Sequence, residues 1–369
     1  MPEFSAADSA MMARALRLAA LGQYTAHPNP MVGCVLAKQG EIVGEGWHEL
    51  AGEAHAEINA LRMAGDAARG STAYVTLEPC VHHGKTPPCV DALIDAGIAA
   101  VVVALEDPFR KVSGRGLRAL ADAGISVRKG LMRKSVEKQL EGFISRNVRG
   151  RPLLRVKIAA SMDGCTAMAD GQSQWITGPE ARADVQHLRA RSGAVMTGIG
   201  TVLADDPSLT VREASADTRG RQPLRVILDS KLRTPVSARM LTLPGATLIY
   251  CCSDNHGEAL SAAGAEVVML GDQEEGQVSL PLVLEDLASR GVNELLVEAG
   301  PTLAGKLLEA QLVDELVIYQ APHIMGSETR GMFRTPAWTG LADRRALRIT
   351  DVRRVGRDLR ITARVTDQD

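Results

Sequence analysis

The sequence predicts a two-domain α/β protein. Three observations carry that expectation: the chain length, the alternation of apolar strands with helical patterns in both halves, and one break in that alternation near the middle. At 369 residues the chain exceeds what a single hydrophobic core usually organises, so two domains of ordinary size follow. Apolar runs at 31–37 and 41–47 flank the turn-like Lys38-Gln39-Gly40 and predict a hairpin. A helical pattern follows over 56–68. Buried strands at 73–77 and 99–104 then bracket a helix near 89–96. Around Arg146-Asn147-Val148-Arg149-Gly150-Arg151-Pro152 the apolar periodicity stops in a short basic stretch with Gly and Pro, which sets the expected domains at 1–147 and 151–369. A strand at 153–159 opens the second alternation. Strands near Ala194 and at 225–228, 247–250, 266–269 and 295–297 continue it, with a helix at 179–190, and residues 333–369 are expected to complete the second sheet.

Composition narrows the function classes. With 42 basic and 44 acidic residues the net charge is −2, so no global field draws the chain onto nucleic acid or an anionic membrane. Aromatic residues make up 3% of the chain, too few for a basic surface interleaved with stacking side chains. The N-terminus carries Glu3 and Asp8 without a basic leader, and no segment approaches the ~20 apolar residues that span a bilayer, so a cytoplasmic location is expected. Six cysteines are too sparse for a disulfide scaffold. Cys34, Cys165, Cys251 and Cys252 lack ligand-spaced partners and are read as buried thiols.

The other two belong to a metal pattern. His55-Ala56-Glu57 opens a helix, Pro79-Cys80 ends a strand, and Cys89 starts another helix. One His and two Cys make a three-ligand zinc site, leaving a fourth tetrahedral position for water, whose pKa the ion lowers towards ~7. Residues two apart in an established helix lie roughly 200° apart, so Glu57 reaches that water only if His55 stands just before the first full turn. Glu57 then acts as a proton shuttle and not as a ligand. A closed structural site would need a fourth ligand, which His82 or His83 could supply; metal-free core cysteines would make the His-x-Glu spacing a coincidence.

Zinc deaminases acting on nucleobases carry H-x-E followed by P-C-x-x-C. Here eight residues separate Cys80 from Cys89, in Pro79-Cys80-Val81-His82-His83-Gly84-Lys85-Thr86-Pro87-Pro88-Cys89. This stretched form, with His27-Pro28-Asn29-Pro30 upstream, resembles the deaminase half of the bifunctional riboflavin-biosynthesis deaminase/reductase family. The resemblance implies a cytidine-deaminase-like α/β/α domain and substrate contacts at Asn29, His48, Lys85 and Asp107. Lys85 also has a physical warrant, as a loop cation able to meet a ribose phosphate. The family's Asp-Pro-Asn-Pro stands here as Asp107-Pro108-Phe109-Arg110, so Asp107 alone carries over.

The second half has no G-x-G-x-x-G after its first strand. A different phosphate cradle is available where Val297-Glu298-Ala299 runs into Gly300-Pro301-Thr302-Leu303-Ala304-Gly305-Lys306, with Pro301 suited to a first helical position and the helix N-terminus open to pyrophosphate. Lys157-Ile158-Ala159-Ala160-Ser161-Met162-Asp163-Gly164, Ser173-Gln174-Trp175-Ile176-Thr177 and Thr201-Val202-Leu203-Ala204-Asp205-Asp206-Pro207 resemble the reductase of the same family, which is dihydrofolate-reductase-like. That resemblance implies NADPH contacts at Ala159, Trp175, Thr201, Asp205, Ser230 and Gly300 through Lys306. It implies substrate contacts at Ser173, Arg189, Leu209, Arg212 and Glu298. The Ser230-Lys231-Leu232-Arg233 run suits an adenosine 2′-phosphate, and two arginines suit a ribose phosphate.

The implied function is zinc-dependent deamination of a phosphorylated pyrimidine followed by NADPH-dependent reduction of its ribosyl group. Glu57, Lys157 and Glu298 are the candidate catalytic residues, and the family-level expectation is a homo-oligomer. Two rivals remain. One is a nucleoside or nucleic-acid deaminase fused to an unrelated reductase, against which the cysteine spacing stands. The other is a silent metal-binding module, which has no use for Glu57.

Overall fold

A capping box opens the chain's first element, α1 (Ala6–Leu21): the Ser5 hydroxyl accepts the Asp8 amide at 3.0 Å and the Asp8 carboxylate accepts the Ser5 amide at 2.9 Å. The apolar patterns above left this helix unmarked, although Ser5-x-x-Asp8 is its signature. The computed structural model describes residues 4–81, 88–109, 113–253, 256–272 and 276–366. Contacts divide it into two units, Met1–Arg151 and Pro152–Asp369.

In the first unit α1 is followed by β1 (Gly33–Lys38), β2 (Glu41–Trp47), α2 (Ala56–Ala64), β3 (Thr72–Leu77), α3 (Cys89–Asp95), β4 (Ala100–Leu105), α4 (Arg115–Asp122), β5 (Ser126–Lys129), α5 (Arg133–Gln139) and α6 (Glu141–Arg149). The final helix runs past residue 147. Gln39 and Gly40 both take positive φ, the twist that a two-residue hairpin turn requires, so β1 and β2 pair antiparallel. The helix expected over 56–68 ends its α-helical part at Ala64, where Gly65 takes φ 52° and a 3₁₀ turn follows.

The five strands lie in the order β2-β1-β3-β4-β5, with β3, β4 and β5 parallel. Strand alternation sends Cys34, Leu36, Val75 and Val103 to one face, against Ala56 and Ala60 of α2, Leu93 of α3 and Leu120 of α4. Val35, Ala37, Tyr74 and Val102 go to the other, against Met12, Ala15 and Leu18 of α1, Val136 of α5 and Phe143 of α6. The result is an α/β/α layer structure. Its carboxyl-terminal strand ends, where ligands of open parallel sheets bind, point Cys80 and Asp107 to one side.

The second unit contains β6 (Leu153–Ser161), β7 (Cys165–Met168), α7 (Pro179–Arg191), β8 (Ala194–Gly198), α8 (Ile199–Asp205), β9 (Leu224–Leu228), α9 (Arg239–Thr242), β10 (Thr247–Cys251), α10 (Gly257–Ala262), β11 (Ala265–Met269), β12 (Gly271–Asp272), β13 (Gln277–Val278), α11 (Leu280–Ser289), β14 (Glu294–Glu298), α12 (Pro301–Glu309), β15 (Glu315–Ala321), β16 (Thr329–Gly331), β17 (Leu347–Val355) and β18 (Asp358–Val365). Nine strands form one sheet in the order β11-β10-β9-β8-β14-β6-β15-β18-β17, covered by apolar clusters on both faces. It is parallel from β11 to β15, while β18 and β17 complete one edge antiparallel. Both units are α/β, as the alternation implied. Among the described residues, no helix is long and apolar enough to cross a membrane.

Candidate functional site

The backbone places His55 as N-cap of α2, with extended φ −75° and ψ 165°, and Glu57 in the first turn. This is the arrangement the two residues needed to serve one point in space. Cys80 follows β3, and Cys89 is the first residue of α3. The three side chains converge: His55 Nδ1 lies 3.1 Å from Cys89 Sγ and 3.5 Å from Cys80 Sγ. Their ligand atoms all lie within 4.8 Å of one another, and no other such group of three forms among the described residues. A tetrahedral zinc with bonds of about 2.0 Å to nitrogen and 2.3 Å to sulfur spaces those atoms by roughly 3.5 Å, so the donor set fits the ion.

The electrostatics agree. The Cys89 thiol, with help from His55, holds Cys80 low as a thiolate, while the same contact and burial push Cys89 up. The amide of Cys89, at the start of α3, also donates to Cys80 Sγ at 3.4 Å. A dication bound there would replace the shared proton and keep both sulfurs as thiolates. Glu57 is 3% exposed, and burial pushes its carboxyl up to about 7 against the opposing charge of His55.

Three expected substrate residues, Asn29, His48 and Asp107, stand around this cluster. The His48 ring meets the His55 ring edge-on at 5.4 Å between centroids. His48 Nδ1 faces the Ala54 carbonyl at 3.2 Å and so carries the proton; Nε2 then accepts from Asn29 Nδ2 at 3.0 Å. Burial lowers the His48 pKa, which keeps the ring neutral. Asp107, after β4, is pushed up to about 6 by burial and by the charges of Glu78 and Cys80. Lys85, like His82, His83 and Arg110, lies outside the described residues.

In the second unit the pairing of β14 with β6 sets Glu298 opposite Lys157, with Nζ 3.5 Å from Oε2. Arg189, from α7, donates Nε and Nη2 to the two Glu298 oxygens at 2.6 and 3.1 Å, and Nη1 to the Thr210 carbonyl at 3.0 Å. Burial alone would raise the Glu298 carboxyl, but the Arg189 and Lys157 charges bring it down to about 2. Arg212 is exposed and donates Nη1 to the Ser208 hydroxyl at 2.8 Å, so the 208–212 segment gathers both arginines. Leu209 is 2% exposed with φ 49°, which leaves its backbone, not its side chain, for any ligand contact. Ser173 is half-buried.

Gly300 is the N-cap of α12 and Pro301 its first residue, as the cradle requires. The structure narrows the stretch: Ala304 and Gly305 are buried, and a Cβ on Gly305 would lie 2.0 Å from the Arg334 carbonyl oxygen. Their side-chain positions serve packing, and Gly300, Thr302 and Lys306 are the exposed part. Ser230, after β9, accepts the Val278 amide at 3.3 Å, and Lys306 donates to Gln277. Ala159 on β6 and Thr201 on α8 are half-buried, and Asp205 at the end of α8 accepts Gln174 Nε2 at 3.1 Å. Trp175 is 68% exposed, with the Arg182 guanidinium 4.7 Å from its ring centroid.

Sequence reasoning missed Gln174, Arg182 and Gln277 around this second site. Nothing in the residue types marks them: Gln174 lies in a turn, Arg182 on α7 and Gln277 on β13, and each meets a neighbour already singled out.

Two families match the chain. The cytidine and deoxycytidylate deaminase zinc-binding region matches residues 5–105, and the RibD C-terminal domain matches residues 152–361. The riboflavin biosynthesis protein RibD of Escherichia coli (strain K12) is 48% identical, covering 95% of this chain and 98% of that protein. RibD of Haemophilus influenzae is 44% identical and covers 98% of each. Among solved structures, RibD of Acinetobacter baumannii matches with TM-score 0.91 at 40% identity, over 98% of this chain and 99% of that one. A Thermotoga maritima diaminohydroxyphosphoribosylaminopyrimidine deaminase/5-amino-6-(5-phosphoribosylamino)uracil reductase matches with TM-score 0.86 at 31% identity and the same coverage.

Proposed function

The chain belongs to the RibD family of riboflavin biosynthesis proteins, and from that membership we propose how its residues divide the work of two reactions. It is a bifunctional enzyme. The first reaction converts 2,5-diamino-6-(5-phosphoribosylamino)pyrimidin-4(3H)-one to 5-amino-6-(5-phosphoribosylamino)uracil by hydrolytic loss of the 2-amino group. The second reduces the ribosyl group with NADPH to give 5-amino-6-(5-phosphoribitylamino)uracil. The observation that carries the reading is the convergence of His55, Cys80 and Cys89 beside Glu57, a buried carboxylate that the metal does not need as a ligand.

Held by those three ligands, Zn²⁺ supplies an activated water by lowering its pKa to about 7. Glu57 takes a proton from the attacking water and gives one to the departing amine, so oxygen replaces nitrogen at C2 and ammonia leaves. His48, with both ring nitrogens engaged, fixes the Asn29 amide and leaves its carbonyl oxygen for the N–H groups of the pyrimidine. Asp107 makes a second polar contact, and Lys85 meets the phosphate.

NADPH supplies hydride for C1′ and is bound by Ala159, Trp175, Thr201, Asp205, Ser230 and the exposed part of Gly300–Lys306. Reduction at C1′ opens its bond to O4′, which needs a proton. Glu298, held ionised by Arg189 and Lys157, has none to give. Lys157 is therefore the donor, and Glu298 aims it. Arg212 and the remaining part of the Arg189 fork meet the ribose phosphate, with Ser173 and the Leu209 backbone beside them.

The cytoplasm suits this chemistry, since all six cysteines are free and two must stay reduced to hold the metal. A homo-oligomer is favoured by β17, a sheet-edge strand on which Leu347, Ile349 and Val352 are 45%, 61% and 54% exposed. The register shift between Ile349 and Asp351 keeps all three on one face, opposite Val365, Ala363 and Ile361. A second copy is the occupant that this apolar row supports.

Zinc-loaded full-length protein given the diaminopyrimidine phosphate and NADPH should release ammonia and oxidise NADPH in equal amounts, without deaminating cytidine or single-stranded DNA. Ammonia release from cytidine, or NADPH oxidation that never follows deamination, would overturn the assignment.

A further inference from the structure

We infer that Glu78 is a positioning residue of the deaminase, holding the loop that carries Asp107 against the ligand segment Pro79-Cys80. Glu78 follows β3 directly, is 3% exposed, and pairs with no cation among the described residues. Four backbone amides donate to it instead. Asp107 and Gly114 bond Oε2 at 3.1 and 2.8 Å, and Gly116 and Leu117 bond Oε1 at 2.8 and 3.4 Å. An ionised carboxylate accepts at about four sites, so this one is satisfied by main chain alone.

Capping α4 would occupy one oxygen, with the amides of Gly116 and Leu117. The other oxygen is spent outside the helix, on Asp107 and Gly114, which ties the end of β4 to the end of β3. Two glycines permit the approach: Gly114 takes φ 73°, and a Cβ on Gly116 would lie 2.2 Å from the Pro79 carbonyl oxygen. Asp107 is in turn oriented by this loop, its Oδ1 accepting the Phe109 amide at 2.7 Å. The chain of placement runs from Glu78, through the backbone at 107, to the Asp107 carboxyl. It rests on the proposal that Asp107 contacts substrate.

A double-mutant cycle tests it on the full-length zinc enzyme. Glu78→Gln turns one carboxylate oxygen into an amide group that faces two N–H donors and accepts from neither. The expected result is a rise of about tenfold in KM for the diaminopyrimidine phosphate, with kcat falling less, zinc stoichiometry intact, and NADPH oxidation with deaminated substrate unchanged. Asp107→Asn should do comparable damage, and the double variant should be no worse than Asp107→Asn alone. Gly114→Ala disturbs the same loop with Glu78 intact; it should repeat the KM rise and serves the same cycle should Glu78→Gln fail to fold. Losses that multiply, an unchanged KM, or loss of zinc in Glu78→Gln would each overturn the proposal while leaving Asp107 in place. An Asp107→Asn enzyme with full activity would instead remove the substrate contact, and the positioning role with it.

Discussion

Glu57 stands two residues after His55, a proposed metal ligand, so a substitution that removes its charge and keeps its size separates proton transfer from ligation. Glu57→Gln should lower the deamination rate by at least roughly 10²-fold, the lower end of what a general acid/base group contributes, with zinc content unchanged in metal analysis. Zinc loss in that variant would make Glu57 a ligand. Lys157→Met keeps the aliphatic stem and removes the proton; NADPH oxidation with deaminated substrate should fall by about 10²-fold, and ammonia release should persist. Unchanged turnover would move the donor elsewhere. The convergence of His55, Cys80 and Cys89 was readable in the sequence because such chemistry resides in residue type and spacing. Glu78 was not, because its work is done on backbone amides that only the fold brings together. The state of Glu298 was hidden for a related reason: its ionisation comes from Arg189, 109 positions away in the chain.

At the scale of elements, the proposed zinc site depends on how closely α2 lies on β2. A Cβ on Gly46 would come within 2.6 Å of both the Ala56 carbonyl oxygen and the Ala60 amide, so the glycine sets the depth of the helix that begins at His55. Gly46→Ala should push α2 outward at a cost of about 1–3 kcal/mol and weaken zinc retention, read by competition with a chelator. Wild-type retention would mean the ligand positions do not depend on this packing. The hairpin and the alternating strands were legible because period and turn chemistry agree there, as Gln39-Gly40 illustrates. The α1 helix was not legible in apolar periodicity because alanines fill both its exposed and its buried face, and only the Ser5-x-x-Asp8 cap marks its start. The extent of α6, to Arg149, was masked by the polar, basic face of its last turn.

Two properties belong to the whole molecule. The apolar row on β17 predicts that Ile349→Arg lowers the solution mass measured by light scattering towards that of one chain; a protein already monomeric before substitution would refute the homo-oligomer. The division of labour is tested by cutting the chain. Arg149 ends α6, Gly150 closes it in a left-handed conformation, and residues 148–150 are exposed, so a break after Arg151 disturbs no element. The first unit keeps its five strands with helices on both faces, and the second its nine-stranded sheet. Each buries its own core, which is the condition for folding alone. Residues 1–151 should bind zinc and release ammonia from the diaminopyrimidine phosphate. Residues 152–369 should oxidise NADPH when the deaminated product is supplied. A folded first fragment that holds zinc yet never deaminates would mean that its site is completed by residues beyond 151. A folded second fragment that never consumes NADPH would place part of the reductase in the first half, and the assignment of one reaction to each unit would fail.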